Sequence, residues 1–259
     1  MKTLVKWSGG KEREIGLFQE YIPTDFKTYI EPFAGGASLF FHLEHPANII
    51  ADVHTELTTF YSQMKQGKAQ DIYDLMKKYP NTEETYYIVR DKLVIDTDLL
   101  KAFRFYYLRK TCFRGMMRYN KQGGFNIPFG RYKTCNFENL KDPNYKKIFD
   151  TTQIFNKPFD WIFEQFDSPD NFVFLDPPYD SKFTDYGYCK FGPEEHRKLA
   201  ECFKKTKNKC LMIIGKTPLI DELYGDYVVG QYDKKYAFKI HSGRVGSEIN
   251  TVHYIIKNY

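Results

Sequence analysis

The amino-acid sequence predicts a doubly wound α/β fold into which a mostly helical segment is inserted. Short apolar runs with strand-like composition recur along the chain and alternate with segments of helical apolar spacing. Glycines or acidic residues follow several of these runs directly. In an open α/β sheet, ligands bind at the carboxyl ends of the strands, so these polar ends are the first candidates for a site.

The elements are expected in the following chain order. We expect helices over residues 11–22, 37–44, 56–66, 71–78, 83–93, 98–110 and 193–205. We expect strands near residues 28–32, 48–51, 150–156, 171–175, 210–214, 227–231 and 251–256. Glycine and proline between 112 and 133 predict loops and a hairpin with its turn at 121–124. The last two strands should pair as an antiparallel hairpin at the sheet edge.

The tetrapeptide Asp-Pro-Pro-Tyr at 176–179 follows the apolar run 172–175. Asp176 can accept a hydrogen bond from an amine, and Pro177 and Pro178 form a rigid turn whose Pro177 carbonyl can accept a second one. Tyr179 offers a π-face for a flat ring. These residues suit an exocyclic amino group that attacks an electrophilic methyl group. The alternative is an ordinary polar turn after a core strand.

A Gly-Gly turn at Gly35 and Gly36 follows the first strand, and Asp52 ends the second. An acidic residue at that place in a βαβ unit can accept hydrogen bonds from ribose hydroxyls. The turn has neither the Gly-x-Gly-x-x-Gly spacing of dinucleotide sites nor a phosphate-binding Gly-Lys-Ser/Thr. A nucleoside without a pyrophosphate is therefore the expected ligand. At the N-terminus, Trp7 either packs beside this ligand or belongs to the core.

Positive charge is concentrated in residues 99–137, which contain no Asp or Glu. The segment holds ten aromatic residues and nine basic ones, leaving 29 basic against 33 acidic residues elsewhere. The nine are Lys101, Arg104, Arg109, Lys110, Arg114, Arg118, Lys121, Arg131 and Lys133. A long, one-signed, aromatic-rich segment is typical of a nucleic-acid surface, whereas the plainer alternative is a solvated face.

Other classes of protein are disfavoured by composition. Five cysteines without a Cys-x-x-Cys pair argue against a disulfide framework or a zinc site, and the six histidines form no metal-ligand pattern. No apolar run approaches the roughly 20 residues of a membrane span, and no signal peptide is recognisable. We therefore expect an intracellular, cytoplasmic protein that needs no metal and no membrane.

Five blocks in order resemble the Dam family of DNA adenine-N6 methyltransferases over nearly the whole chain. They are Lys-Trp-Ser-Gly-Gly-Lys at 6–11, Glu-Pro-Phe-Ala-Gly-Gly at 31–36, Asp52, the block 118–130 and Asp-Pro-Pro-Tyr at 176–179. The resemblance implies a Rossmann-like sheet and an enzyme dependent on S-adenosylmethionine (AdoMet). It implies three parts: a cofactor-binding half at 1–57, an inserted target-recognition domain with a β-hairpin at 58–147, and a catalytic half at 148–259.

The resemblance also assigns residues. Catalysis is assigned to Asp176, Pro177, Pro178 and Tyr179. Cofactor binding is assigned to Trp7, Lys11, Phe33, Gly35, Gly36, Asp52, Phe159 and Asp176. The target adenine should leave the duplex and enter the cleft by base flipping.

For double-stranded DNA the resemblance implies a set of contacts and a GATC target. Arg118 would read guanine, Met116 and Pro128 would contact a thymine methyl, and Lys6 would touch the first guanine. The remaining DNA residues are Phe113 and Arg114 as wedges, and Arg131, Lys133 and Lys110 on phosphates. Arg114 replaces the family's Asn, and Gly215-Lys216-Thr217 replaces its Ser-Asn.

Alternatives of other classes stay open at this level. A cytosine-N4 methylase uses a similar tetrapeptide that usually begins with Ser, and a protein-glutamine methylase usually begins it with Asn. A catalytically silent DNA-binding protein on the same scaffold, or an RNA methylase, would share the basic segment. The oligomeric state, a monomer or a DNA-induced dimer, is left open.

Overall fold

The computed structural model of the chain describes residues 1–120, 122–180, 190–235 and 250–259. Among these residues a seven-stranded sheet runs in the order β3-β2-β1-β4-β5-β7-β6. The strands are β1 (Thr28–Glu31), β2 (Asn48–Ala51), β3 (Thr152–Phe155), β4 (Asn171–Leu175), β5 (Lys209–Gly215), β6 (Val228–Lys235) and β7 (Asn250–Lys257). Neighbours from β3 to β5 are parallel, whereas β7 pairs antiparallel with both β5 and β6. The chain thus has a Rossmann-like α/β fold, as predicted.

Both faces of the central strands are covered, which explains their continuous apolar sequences. Along β4, Phe172 and Phe174 pack into one core, and Val173 and Leu175 pack into a second core on the opposite face. The first core also receives the apolar sides of the helices between β2 and β3. The alternation of side chains therefore sorts one buried strand into two cores.

Ten α-helices connect the strands within the described residues. They are α1 (Ile15–Phe18), α2 (Ser38–Leu43), α3 (Thr55–Lys65), α4 (Ala69–Lys78), α5 (Glu83–Asp91), α6 (Asp98–Thr111), α7 (Pro143–Asp150), α8 (Phe159–Gln165), α9 (Pro193–Lys205) and α10 (Pro218–Tyr224). Thr82 and Thr97 cap α5 and α6 by accepting backbone N–H groups, and α9 begins at the predicted proline.

Several predicted elements need correction. The helix expected over 11–22 is reduced to α1 and a 3-10 turn at Gln19–Tyr21, because residues 11–14 form a turn that points Lys11 and Glu14 inward. Helices α7, α8 and α10 were not predicted, since each is short and is held by packing against the sheet. Strand β6 extends four residues beyond the prediction. Alternate side chains along it are exposed, so its polar second half shows no apolar run in the sequence.

The predicted hairpin between the helical segment and β3 is present in irregular form, and we call residues 112–130 the 112–130 hairpin. Isolated antiparallel bridges join Cys112 to Phe129 and Tyr119 to Phe125. The turn residue Lys121, and the 236–249 connection expected to be turn-rich, lie outside the described residues. The hairpin follows α6 directly, so α6 sets its position relative to the sheet.

Candidate active site

A cleft lies at the carboxyl ends of β1, β2 and β4, where the sequence predicted that the polar strand ends would meet. All of the residues predicted to bind the cofactor or to act in catalysis line it. They are Trp7, Lys11, Phe33, Gly35, Gly36, Asp52, Phe159, Asp176, Pro177, Pro178 and Tyr179. The fold thus brings residues that are more than 160 positions apart in the sequence into one cleft.

The glycine turn after β1 depends on glycine at Gly35. This residue has φ +45°, and a Cβ built on it would lie 2.6 Å from the Trp7 Nε1 atom. The Tyr61 hydroxyl donates to the Gly35 carbonyl at 2.8 Å and holds the turn in place. A larger residue would displace the indole ring from the cleft wall.

Asp52 ends β2 and is 8% exposed. Its carboxylate accepts hydrogen bonds from the backbone N–H of Gly35 and of His54, each at 2.9 Å. Burial raises the pKa of Asp52 to about 6, although these backbone donors oppose the rise. Each carboxylate oxygen has a further lone pair, so the group can also accept from a ligand hydroxyl.

Three phenylalanine rings also line the cleft. The Phe33 and Phe159 rings are stacked with centroids 5.4 Å apart, and Phe191 meets Phe33 edge-on at 5.6 Å. Phe191 lies outside every sequence motif and was not predicted. Asp160, which follows Phe159, instead forms an ion pair with Lys198. An apolar, aromatic cage of this kind suits a flat heterocycle.

Asp176 and Tyr179 both contact Lys11 within the cleft. The Lys11 ammonium donates to Asp176 Oδ1 at 2.5 Å, to the Tyr179 hydroxyl at 2.6 Å and to the Gly9 carbonyl at 3.1 Å. The Lys11 side chain is 1% exposed and that of Asp176 is 22% exposed. Burial raises the pKa of the Asp176 carboxyl, and the Lys11 ammonium opposes that rise. Sequence reasoning placed Lys11 among the cofactor residues and did not foresee its pairing with Asp176.

Behind Tyr179 lies a buried polar cluster that sequence reasoning missed. The edge of the Tyr179 ring meets the ring of His253 in β7, with centroids 5.4 Å apart. His253 Nδ1 lies 3.1 Å from Glu14 Oε2, and the Tyr232 hydroxyl donates to the same oxygen at 2.7 Å. Burial favours the neutral acid, but these contacts and the Lys234 ammonium lower the pKa of Glu14 to about 2. No local pattern marked Glu14 or His253, because these two residues lie 239 positions apart in the sequence.

The predicted DNA residues lie on the 112–130 hairpin, beside it and on the N-terminal segment. Arg114 adopts a left-handed conformation (φ 55°) within a 3-10 turn, Phe113 is 40% exposed, and Met116 is half-buried. The exposed members of the set are Lys6, Phe113, Arg114, Arg118, Pro128, Arg131 and Lys133.

Not all of the basic residues of the segment face outward. Arg109 is 1% exposed and donates to the carbonyls of Lys6 (3.0 Å), Met116 (2.8 Å) and Gly115 (2.5 Å). Arg104 pairs with Glu56 at 2.9 Å. Two of the nine positive charges therefore hold the protein together, and the hairpin is pinned to the N-terminal segment.

The guanidinium of Arg118 is oriented by its own hairpin. Its Nε donates to Asn126 Oδ1 at 2.8 Å, and Nη2 donates to the Asn126 carbonyl at 3.3 Å. Arg131 reaches Glu83 at 3.5 Å with 77% of its side chain exposed. The Lys6 ammonium lies 4.1 Å from the centroid of the Tyr132 ring.

The departure at Gly215-Lys216-Thr217 has a structural counterpart. The Thr217 hydroxyl donates to Asp180 Oδ2 at 2.8 Å and also caps α10. Thr217 thus holds the residue that follows the Asp-Pro-Pro-Tyr motif. This contact ties the start of α10 to the end of the motif.

Metal-binding clusters and membrane-spanning helices are both absent from the part of the chain that the structure describes. Among the residues that the structure describes, no group of three or more His, Cys, Asp or Glu side chains is placed to hold a metal ion. Within the same residues, none of the helices combines the length and the apolar character that crossing a membrane requires.

Comparison with known proteins identifies the family. A model described as D12 class N6 adenine-specific DNA methyltransferase matches residues 7–242. The chain is 59% identical to the Type II methyltransferase M.CviBI of Paramecium bursaria Chlorella virus NC1A, with both chains fully covered. It is 30% identical to the Type II methyltransferase M.MjaIII of Methanocaldococcus jannaschii (92% of each chain), and 27% identical to a DNA adenine methylase of Vibrio cholerae (79% and 76%). The chain therefore belongs to the D12 class of N6 adenine-specific DNA methyltransferases.

Proposed function

We propose that this enzyme transfers a methyl group from AdoMet to N6 of an adenine flipped out of a short double-stranded DNA site. The observation that carries the proposal is the convergence of Asp52, the aromatic cage and the Asp-Pro-Pro-Tyr motif on one cleft. Asp52 and the aromatic cage suit a nucleoside, and the Asp-Pro-Pro-Tyr motif suits an amine. Membership of the family supports the choice of adenine N6 and of DNA.

The residues present fit AdoMet. Asp52 has free lone pairs for ribose hydroxyls, and Phe33, Phe159 and Phe191 form a cage for an adenine ring. Gly35 and Gly36 keep Cβ atoms out of the space that Trp7 borders. When bound, AdoMet supplies an electrophilic methyl group.

Around the target amine, the protein would hold the amino group in place and exclude water from it. The Asp176 carboxylate and the Pro177 carbonyl would accept the two amine hydrogens, which localises the nitrogen lone pair. Tyr179 would stack on the flipped base, and its ring is held by Lys11 on one side and His253 on the other. Most of the rate enhancement would then come from positioning and electrostatic preorganisation. Asp176 or water would take the proton released from N6.

Lys11 also acts on Asp176 electrostatically. A carboxylate accepts hydrogen bonds best when it is ionised, and the Lys11 ammonium at 2.5 Å favours the ionised form against the effect of burial. We assign Lys11 the role of holding Asp176 and Tyr179 in place, in addition to lining the cofactor end of the cleft.

We propose that residues 58–147 form the target-recognition unit, inserted between a cofactor half at 1–57 and a catalytic half at 148–259. Within the unit, Arg118 would read guanine, Met116 and Pro128 would contact a thymine methyl, and Phe113 with Arg114 would occupy the space of the flipped base. The exposure of these side chains, other than half-buried Met116, supports the assignment. Lys6 would touch the first guanine, and Arg131, Lys133 and Lys110 would contact phosphates.

The specific target proposed is GATC. It rests on the likeness of the block 118–130 to that of GATC-methylating enzymes, and the exchange at Arg114 is the feature that would alter it.

The test is methylation of a duplex library that contains all hexamers, read base by base for modification. We expect N6-methyladenine in a single short motif, GATC, and its loss with Asp176→Ala. Modification in another adenine motif would overturn GATC but leave the chemistry intact. Modification at cytosine N4 would overturn the adenine assignment. Absence of DNA methylation by a protein that still binds AdoMet would overturn the DNA substrate.

A further inference from the structure

A partly buried chain of hydrogen bonds joins the cleft to the 112–130 hairpin. The Asp52 carboxylate accepts the His54 backbone N–H at 2.9 Å. The His54 Nε2 atom lies 2.7 Å from the Tyr119 hydroxyl, and that hydroxyl donates to Glu56 Oε2 at 2.9 Å. Tyr119 directly follows Arg118 in the hairpin. We call the series Asp52–His54–Tyr119–Glu56 the His54 chain.

The direction of donation along the His54 chain follows from its geometry. His54 Nδ1 accepts the backbone N–H of Leu57 at 3.2 Å and thereby caps α3, so it carries no proton. In the neutral ring the proton then lies on Nε2, which donates to Tyr119. Tyr119 has one hydroxyl proton and gives it to Glu56. Tyr119 therefore accepts from His54 and donates to Glu56, which ties its position to that of His54.

The surroundings keep His54 neutral and fixed. It is 4% exposed, and the edge-on Trp7 ring lies 5.9 Å from it. Burial and the nearby Arg109 guanidinium lower the pKa of His54 to about 4. Arg109 also lies over Trp7, 5.5 Å from the ring centroid. One packed cluster therefore touches the cleft wall, the N-terminal segment and the hairpin.

The far end of the His54 chain returns to the hairpin. Arg104 donates to Glu56 Oε1 at 2.9 Å and to the Arg90 carbonyl at 2.9 Å. Arg90 in turn donates to the carbonyl of Ile127 on the second arm of the hairpin at 3.0 Å. Both arms of the hairpin are thus linked to the turn that follows Asp52.

We propose that His54 and Tyr119 are positioning residues that couple nucleoside binding at Asp52 to duplex binding by the 112–130 hairpin. This inference rests on the proposed function, because it needs both ligands. A nucleoside whose hydroxyls engage Asp52 fixes the Asp52–His54 turn, and through His54 it fixes Tyr119 and its neighbour Arg118. Less of the hairpin then remains to be ordered when the duplex binds. Each ligand therefore tightens the binding of the other.

The experiment measures the Kd of S-adenosylhomocysteine with and without a saturating duplex. That duplex contains the sequence that the enzyme methylates. This probe binds without methyl transfer, and the ratio of the two Kd values is the coupling factor. We expect a factor of about 5 to 150 for the unmodified enzyme. Tyr119→Phe, which removes only the hydroxyl, and His54→Asn should each reduce it to about 1 to 3. By linkage, the duplex Kd must change by the same factor when S-adenosylhomocysteine is present.

The matched control is Tyr86→Phe. The Tyr86 hydroxyl donates to the Ile127 carbonyl at 2.6 Å, so this variant also removes one hydroxyl contact with the hairpin but leaves the His54 chain intact. It should keep the coupling factor of the unmodified enzyme. If Tyr86→Phe lowers the factor as much as Tyr119→Phe, the effect is general loosening of the hairpin and the proposal is wrong.

Remaining outcomes separate the inference from the proposed function. An unmodified enzyme that methylates DNA with a coupling factor of 1, or a Tyr119→Phe variant that keeps the full factor, overturns the inference alone. An enzyme that binds and methylates no duplex overturns both. Thermal unfolding checks that each variant is folded, and Glu56→Gln, which should also lower the factor, tests the same chain if Tyr119→Phe does not fold.

Discussion

The cleft and the 112–130 hairpin use polar residues in opposite ways. In the cleft, Lys11 and Asp52 are buried, and their hydrogen bonds are made within the protein. On the hairpin, Arg114 and Arg118 are exposed, although Asn126 orients the Arg118 guanidinium. The cleft is therefore set before a ligand arrives, whereas the hairpin presents its positive charge at the protein surface.

The difference explains why the two regions differ in what their sequences determine. Preorganised groups must sit at fixed places on rigid strand ends, so the cleft needs particular residue types in a particular order. A charged surface attracts a polyanion whatever its fine geometry, but which base an arginine reaches depends on the loop that carries it. Changes in the cleft should thus affect chemistry most, and changes in the hairpin should affect the choice of sequence.

The largest effect is expected from Asp176→Ala. Loss of an acceptor on the target amine should lower kcat by roughly 10²–10³-fold or more, since this bond strengthens as the nitrogen becomes cationic. Single-turnover methylation of a duplex measures it. The neighbouring Asp180→Asn, which alters the contact with Thr217, should cost far less. Equal losses in the two variants would contradict the special role of Asp176.

Lys11→Met should reveal the cost of leaving a buried carboxylate without its cation. We expect the free energy of unfolding to fall by about 3 kcal/mol, and the acid limb of the pH–rate profile to move to higher pH as the pKa of Asp176 rises further. Lys27→Met breaks an ion pair whose lysine is 78% exposed and should change neither quantity. The double variant Lys11→Met/Asp176→Leu should recover stability but not activity. An unchanged pH profile in Lys11→Met would argue against the electrostatic role.

His54 should make stability depend on pH in a defined window. Its folded pKa of about 4 lies below the unfolded value of 6.5, so the unfolded chain binds the proton more readily between these values. Stability from this group is therefore complete above about pH 6.5 and is lost as the pH falls to about 4, by roughly 3 kcal/mol. Comparison with His54→Asn by denaturant unfolding at several pH values isolates the effect. The exposed His42→Asn should leave the pH dependence unchanged; an equal change in both variants would refute the assignment.

The smallest effects should distinguish base recognition by the hairpin from its general electrostatic attraction for DNA. Arg118→Ala should lower discrimination between the methylated sequence and single-base variants by about 1–3 kcal/mol at one position. Lys133→Ala should weaken binding to all duplexes alike and make the dependence of log K on log salt shallower by about one unit. Duplex Kd values over a series of salt concentrations measure both. The comparison would be broken if Lys133→Ala changed the preferred sequence while Arg118→Ala did not.

Much of the fold was predictable because its signals are local. The strands β1, β2, β4 and β5 were predicted within about two residues, since buried parallel strands read as continuous apolar runs. Helix α9 was predicted with both ends correct because Pro193 and the acidic first turn mark its start. The helix at 11–22 was wrong because its apolar spacing was outweighed by the distant partners of Lys11 and Glu14.

The sequence by itself determined the family, the sheet and the motif residues that line the cleft, because short motifs at strand ends must converge when the strands are parallel. Tertiary structure decided how those residues are paired. It placed Lys11 on Asp176, His253 against Tyr179, and the His54 ring on the Tyr119 hydroxyl. The physical reason is that a buried polar group takes whichever partner the folded chain brings within hydrogen-bond distance, and no local pattern in the sequence records that distance.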